Sequence, residues 1–207
     1  MKRVAVLVSG RGSNLQALLD AEARGELGAT IALVVADRNG AFGLQRARAR
    51  SVPTDVVRVR DFATREAWDE ALAARLRAAQ VDIVVTAGFQ RVLGAATLGA
   101  FAGRILNIHP SLLPAFPGGL HAQADALAYG VKVSGCTVHF ADQNVDAGPI
   151  VFQRVVEVRE DDDADSLAAR ILAEEHRALP EAVRLLAESR LCVEGRRVRV
   201  LAPSPSV

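Results

Sequence analysis

Short unbroken apolar runs alternate with stretches of helical spacing through the first half of the chain. Residues 4–8 are all Val, Ala or Leu and stop at Ser9-Gly10, the mark of a strand buried on both faces. Leu15, Leu18 and Leu19 then recur at helical intervals within 13–23, with Ser13 placed as the N-cap. The alternation continues with a strand at 31–36, an arginine-rich helix at 41–50, a strand at 55–59 and an amphipathic helix at 65–79. It ends with a strand at 81–86, a short helix at 96–102 and a fifth strand at 104–108. In the second half the period changes. Residues 134–140 and 150–158 read as strands with no helix between them, joined by the turn-rich loop 141–149. A long helix at 165–188 follows, then a small hairpin at 191–200 with Glu194-Gly195 at its middle.

This order predicts an α/β fold. A mostly parallel twisted sheet carries helices on both faces, with antiparallel strands added in the C-terminal half. No repeat or linker divides the chain, so 1–201 is expected to be a single domain and 202–207 a disordered tail. With 50% apolar residues but only 4% aromatic ones, the core must be built from Ala, Val and Leu. A formal net charge of +1 argues against a general nucleic-acid binder. Cys136 and Cys192 lie far apart and in no zinc-like spacing, so they read as reduced thiols and no metal is expected. No apolar run approaches the ~18 residues of a spanning helix. The basic start at Lys2 and Arg3 is interrupted by Gly10 to Asn14 too early for a signal peptide, and a cytoplasmic enzyme is the expectation.

The segment Ser9-Gly10-Arg11-Gly12-Ser13-Asn14 joins a strand to a helix. Glycines let the backbone turn sharply, and a helix start presents unpaired N–H groups to an anion. Phosphate fits this loop. A dinucleotide fingerprint does not, because Leu15 stands where the third glycine belongs, although Asp37 could imitate its ribose-binding acid. A P-loop is excluded by the absence of Gly-Lys-Ser/Thr. A strand–helix turn that binds nothing remains the alternative.

Asn107-Ile108-His109-Pro110 closes the fifth strand. Period two puts Asn107 and His109 on one face, and the C-terminal ends of parallel strands are where such sheets bind ligands. Pro110, Pro114 and Pro117 then stiffen an irregular loop. A hydrogen-bonded core histidine and a turn-stabilising asparagine would produce the same pattern. Asp146, before Ala147-Gly148-Pro149, fits an Asx turn as well as a site. The acidic run Asp161, Asp162, Asp163 and Asp165 reads as a solvated stretch that caps the last helix.

Together the motifs resemble the folate-dependent formyltransferases, and within them the branch acting on glycinamide ribonucleotide. They are Gly12-Ser13-Asn14-Leu15-Gln16-Ala17, Ala41-Phe42-Gly43-Leu44, Ala87-Gly88-Phe89-Gln90-Arg91-Val92-Leu93, Leu106-Asn107-Ile108-His109-Pro110-Ser111-Leu112-Leu113-Pro114, Gly135-Cys136-Thr137-Val138-His139-Phe140 and Val145-Asp146-Ala147-Gly148-Pro149. The resemblance runs from about Val4 to about Pro180 and implies a Rossmann-like sheet. It implies formyl transfer from 10-formyltetrahydrofolate to the amine of glycinamide ribonucleotide, with Asn107, His109 and Asp146 catalytic. Gly12, Ser13, Asn14 and Glu175 would hold the ribonucleotide. Arg65, Gln90, Arg91, Val92, Leu93, Asn107, Asp142 and Asp146 would line the folate site. His121 resembles a supporting loop residue, His139 a structural one, and Leu113-Pro114 a cis peptide. The partners implied are small-molecule substrates, with no nucleic acid and no membrane, on a monomer or homodimer.

The chain departs from the family pattern at an extra glycine in Pro117-Gly118-Gly119-Leu120-His121 and at Ala124, where many relatives have Arg. Both bear on the position of His121 and on the start of the helix after it. A formyltetrahydrofolate hydrolase and a sugar-nucleotide formyltransferase are the nearest alternatives. A methionyl-tRNA formyltransferase would need a further tRNA-binding domain. A noncatalytic phosphate-binding module is the alternative of a different class.

Overall fold

The computed structural model describes residues 1–119 and 121–203. Leu120 of the glycine-rich loop and 204–207 of the expected tail lie outside them. One nine-stranded sheet organises the molecule. Its strands are β1 (Lys2–Val8), β2 (Ala29–Ala36), β3 (Thr54–Val56), β4 (Ile83–Thr86), β5 (Ile105–His109), β6 (Val133–Phe140), β7 (Ile150–Glu157), β8 (Leu191–Glu194) and β9 (Arg197–Val200), in the order β3-β2-β1-β4-β5-β6-β7-β9-β8. The first five are parallel; β6 and β7 add antiparallel pairings, and β8 with β9 forms the hairpin.

Period two sorts β1 between two cores. Val4, Val6 and Val8 face α1 (Ser13–Ala23), α2 (Phe42–Ala49) and α6 (Ala164–Ala187), whereas Ala5 and Leu7 pack with Trp68, Leu72 and Leu76 of α3 (Arg65–Ala78). The same alternation in β5 sends Leu106 and Ile108 toward the α1/α6 side and Ile105 toward α3 and α4 (Ala95–Ala100). Asn107 and His109 share the parity of Ile105. The remaining helix, α5 (Ala122–Tyr129), carries no clear apolar stripe, and the hydrophobic pattern alone does not announce it. No helix among the described residues is long and apolar enough to cross a membrane.

Two local expectations need correction. The third strand stops at Val56, and residues Val59–Asp61 form a 3-10 turn. Beyond Val56 the backbone turns inward: Val57 N–H donates to the Ala36 carbonyl, and the Val57 carbonyl accepts the Trp68 indole N–H at 2.9 Å. Ser13 is the first helical residue of α1, and the N-cap is Gly12, in a left-handed conformation (φ 68°) with no side-chain cap. The acidic run caps the last helix as expected, but it is not solvated throughout, since the Asp162 side chain is covered and paired with Arg170. Asp163 caps α6 by accepting from Ser166 N–H, and the Ser166 hydroxyl accepts from the Asp163 N–H.

Candidate active site

Register brings three polar side chains into one row at the sheet's C-terminal edge. Thr86 of β4 pairs with Asn107 of β5, and Asn107 pairs with His139 of β6. The Thr86 hydroxyl donates to Asn107 Oδ1 at 2.5 Å. Asn107 Nδ2 lies 3.0 Å from His139 Nε2 and donates to Asp146 Oδ1 at 3.2 Å. Turning the amide over would set its oxygen against a carboxylate, so the partners fix its orientation. His139 Nδ1 faces the Phe140 carbonyl at 3.0 Å. Its Nε2 also lies 3.5 Å from Asp146 Oδ1, between that carboxylate and the Asn107 amide.

Asp146 reaches this row from the loop between β6 and β7. It adopts a positive φ of 54°, which aspartate tolerates better than most residues. Gly148 makes the turn possible, since a Cβ there would stand 1.8 Å from the Phe140 carbonyl oxygen. The Asp146 carboxylate lies 3.2 Å from His109 Nδ1 through Oδ2, and that oxygen also accepts the Gly118 N–H at 2.8 Å. Burial pushes the Asp146 pKa up, but the surrounding imidazoles of His139 and His109 and the Gly118 amide outweigh it and hold the carboxyl below its usual range. His109 Nε2 lies 2.8 Å from the Phe116 carbonyl. Both ring nitrogens therefore face acceptors, and only the doubly protonated imidazolium can donate to both.

The loop that supplies Phe116 is braced from the sheet. Thr137 donates to the Ser111 carbonyl at 2.7 Å and accepts from Leu113 N–H at 3.0 Å, while Gln153 donates to the Leu113 carbonyl at 2.8 Å. Leu113-Pro114 is cis, as the resemblance implied. Asn107, His109 and Asp146 sit at one end of a cleft of about 430 Å³ whose walls include Phe89, Val92, Leu93, Ala141 and Val145. Gln90, Arg91 and Asp142 also line it. Arg65 and His121 do not. Arg65 donates to the carbonyl of the lining residue Val92 at 3.0 Å, and His121 stands before α5. Buried Asp69 ties the wall down by accepting from the N–H groups of Gly94, Ala96 and Thr97.

The glycine loop lies beside this cleft rather than in it. Ser9 connects the two, its hydroxyl accepting the Gln90 N–H at 2.8 Å. Gly12 packs so closely that an added Cβ would stand 2.7 Å from Gly43 Cα. The loop's helix start keeps N–H groups that no side chain caps. Asn14 and Glu175 are brought together there: Asn14 Nδ2 donates to Glu175 Oε2 at 2.7 Å, and Asn14 Oδ1 is buried without a partner among the described residues. Burial pushes the Glu175 carboxyl up to about 7, against the lowering effect of the Asn14 hydrogen bond. Asp37, the imagined ribose acid, is instead buried between Arg38 and Arg91, at 3.0 and 2.8 Å. Burial raises its pKa, but hydrogen bonds with Arg38, Ser9 and Arg91 prevail and lower it.

Sequence comparison settles the family, because residues 2–183 match the formyl transferase profile. The chain belongs to the formyl transferase family. It is 48% identical over 194 residues to phosphoribosylglycinamide formyltransferase of Mycobacterium tuberculosis, covering 94% of this chain and 89% of that one. It is 51% identical over 187 residues to the trifunctional purine biosynthetic protein adenosine-3 of Drosophila melanogaster, covering 89% of this chain but spanning only 14% of that relative's length. Glycinamide ribonucleotide transformylase 1 from Symbiobacterium toebii superposes with a TM-score of 0.96 at 53% identity, covering 98% of this chain and 95% of that one.

Within this formyl transferase, two side chains of the row were missed or undervalued in the sequence. Thr86 ends an apolar strand and carries no motif. His139 sits in a buried strand and reads as structural, yet it lines the cleft and holds the Asn107 amide. The register of β4, β5 and β6 reveals both, and that register is a long-range property.

Proposed function

We propose that the protein transfers the formyl group of 10-formyltetrahydrofolate to the amine of glycinamide ribonucleotide, giving formylglycinamide ribonucleotide and tetrahydrofolate in purine synthesis. The observation that carries this reading is the linked Asn107, His109 and Asp146 set at the end of an apolar-walled cleft, next to an uncapped helix start. The folate donor fits the cleft on two counts. Its volume lies within the ~300–1,000 Å³ range of small-molecule sites. Arg91 is the one Lys or Arg lining it among the described residues, and a folate's glutamate needs such a cation.

The residues then take distinct tasks. The α1 N-terminus at Gly12, Ser13 and Asn14 receives the ribonucleotide phosphate through backbone N–H groups. Glu175, held by Asn14, faces the ribose. As the substrate amine attacks the formyl carbon, the Asn107 amide and the imidazolium of His109 stabilise the oxyanion that develops on the formyl oxygen. The new C–N bond forms while the bond to the folate nitrogen breaks. His109 supplies the proton that this nitrogen gains, and Asp146 receives the one that the amine loses. The 3.2 Å contact between Asp146 and His109 Nδ1 couples the two groups whose protons must be restored.

The test is turnover of 10-formyltetrahydrofolate with and without glycinamide ribonucleotide, followed by the absorbance of the deformylated folate. Turnover that requires the ribonucleotide is expected. Equal turnover without it would replace the transferase by a hydrolase, and folate binding without any turnover would mean another acceptor.

A further inference from the structure

Thr86 closes β4, a strand that is otherwise apolar: Ile83, Val84 and Val85 are buried, and Thr86 is buried with them at 6% exposure. A buried hydroxyl needs a partner, and the Leu106 carbonyl, 3.3 Å away on β5, would serve. The hydroxyl has only one hydrogen, however, and Asn107 Oδ1 takes it at 2.5 Å. Thr86 is the one partner of Asn107 Oδ1 among the described residues. The nitrogen end of the same amide has two, Asp146 and His139. Register sets the two side chains next to each other, since Thr86 is paired with Leu7 of β1 on one side and with Asn107 on the other. Thr86 is β-branched, so its χ1 is stiff and the strand backbone sets the direction of the hydroxyl. The terminal torsion of an asparagine is broad, and the backbone alone does not fix its amide plane. Both residues line the active-site cleft.

We infer that Thr86 is a positioning residue for formyl transfer, gripping the carbonyl end of the Asn107 amide so that the nitrogen end stays aimed at the developing oxyanion. The inference rests on the proposed transfer reading and on the task given there to Asn107. One hydrogen bond has two effects. It limits rotation of the amide plane, and a donor swung out of line loses stabilisation of the transition state steeply. It also draws electron density toward Oδ1 and leaves the Nδ2 hydrogens more positive, because linked hydrogen bonds polarise one another. Asp146 and His139 already lie against Nδ2, so the formyl oxygen must compete with them as it becomes negative. Asp146 belongs to a loop and is tied to Gly118 of another. Thr86 stands inside the sheet between β1 and β5, and its contact is the restraint that remains while those at Nδ2 are exchanged. The hydroxyl keeps its own proton throughout and touches no reacting atom.

Three variants test this. Thr86→Val removes the hydroxyl and keeps the shape, Thr86→Ala removes it with less bulk, and Thr86→Ser retains it. In steady-state turnover of 10-formyltetrahydrofolate with glycinamide ribonucleotide, kcat is expected to fall about tenfold in the valine and alanine variants, with the KM of each substrate within about twofold of wild type. Thr86→Ser should recover kcat to within about threefold of wild type. The side-chain amide of Asn107 gives a readout independent of turnover. Its proton–nitrogen NMR signals, identified by their loss in Asn107→Asp, should shift and broaden in the ligand-free valine and alanine variants and return in Thr86→Ser. Unchanged kcat in both hydroxyl-free variants would overturn the inference. So would a lowered kcat with the Asn107 signals unmoved, because Thr86 would then act on the substrate itself, and so would a serine variant as slow as the alanine one. Wild-type turnover that ignores the ribonucleotide would end the transfer reading instead, and the amide signals would still decide whether Thr86 holds Asn107.

Discussion

Glu175 stands in the apolar stripe of α6, between Ile171 and Ala178, and its carboxyl is pushed up to about 7 by burial. An ordinary glutamate in the unfolded chain titrates near ~4.3. Between these values the folded protein holds a proton that the unfolded chain has released, so stability falls as pH rises through that window. Below the window both states are protonated and Glu175 carries no penalty; above about 7 the penalty is complete. One pKa unit corresponds to about 1.4 kcal/mol, which makes the penalty about 3.6 kcal/mol at pH 8 and about 1 kcal/mol at pH 5. Glu175→Gln keeps an oxygen for Asn14 Nδ2 and cannot ionise. The variant should therefore gain about 2.5 kcal/mol over wild type on going from pH 5 to pH 8. Urea denaturation of both ligand-free proteins at the two pH values measures this, and taking the difference cancels the other titrating groups. A stability difference independent of pH would show that Glu175 is ionised throughout, and the argument from its burial would fall.

Three further substitutions separate the parts of the site. His109→Ala removes the imidazolium and should lower turnover by about 10²–10⁴ while ribonucleotide affinity, measured by thermal shift, stays within about threefold. Asp146→Asn weakens the partner of His109, Asn107 and Gly118 and should cut turnover by a similar factor. Because the Asp146 pKa is lowered in the folded state, its stabilisation is present at neutral pH and lost in acid, so the variant should be less stable than wild type at pH 7 and converge with it as pH falls below the usual carboxylate range. Gly12→Val puts a Cβ against Gly43 at a positive φ and should weaken ribonucleotide binding at least tenfold with folate affinity unchanged, both read by calorimetry; a selective loss of folate affinity would misplace the phosphate.

The parallel half was legible because its signals are local. Runs such as 4–8 and 31–36 must be buried on both faces to be stable, and leucines at helical spacing must cover them. The ends were less legible where long-range contacts decide them. Thr54–Val56 stops early because Trp68, eleven positions beyond Val57, claims that residue's carbonyl. α5 begins at a turn whose residues show no periodicity. Of the site, Asn107 and His109 followed from strand parity, and the glycine loop from its place between strand and helix. Neither rule joined Asp146 to them. An aspartate before Ala-Gly-Pro fits any Asx turn, and only the resemblance to formyltransferases singled it out. Arg65 shows the converse: the resemblance alone put it in the folate site, and in the structure it donates to the Val92 carbonyl and is not among the residues that line the cleft.

The division of labour follows from the change in strand direction. Five parallel strands bring the loop after β1 and the end of β5 to one edge, which suffices for an uncapped helix start and two polar side chains. A parallel strand after β5 would leave this edge by way of a helix. An antiparallel β6 instead runs from Val133 to Phe140 alongside β5, places Thr137 and His139 opposite His109 and Asn107, and delivers the chain directly into the loop that carries Asp146. One reversal thus supplies the clamp on the proline loop, the support for the Asn107 amide and the carboxylate beside His109. A substitution that slipped β6 by one residue would send Thr137 and His139 to the opposite face, where Cys136, Val138 and Phe140 now complete the core. The site and the core are therefore specified by the same register.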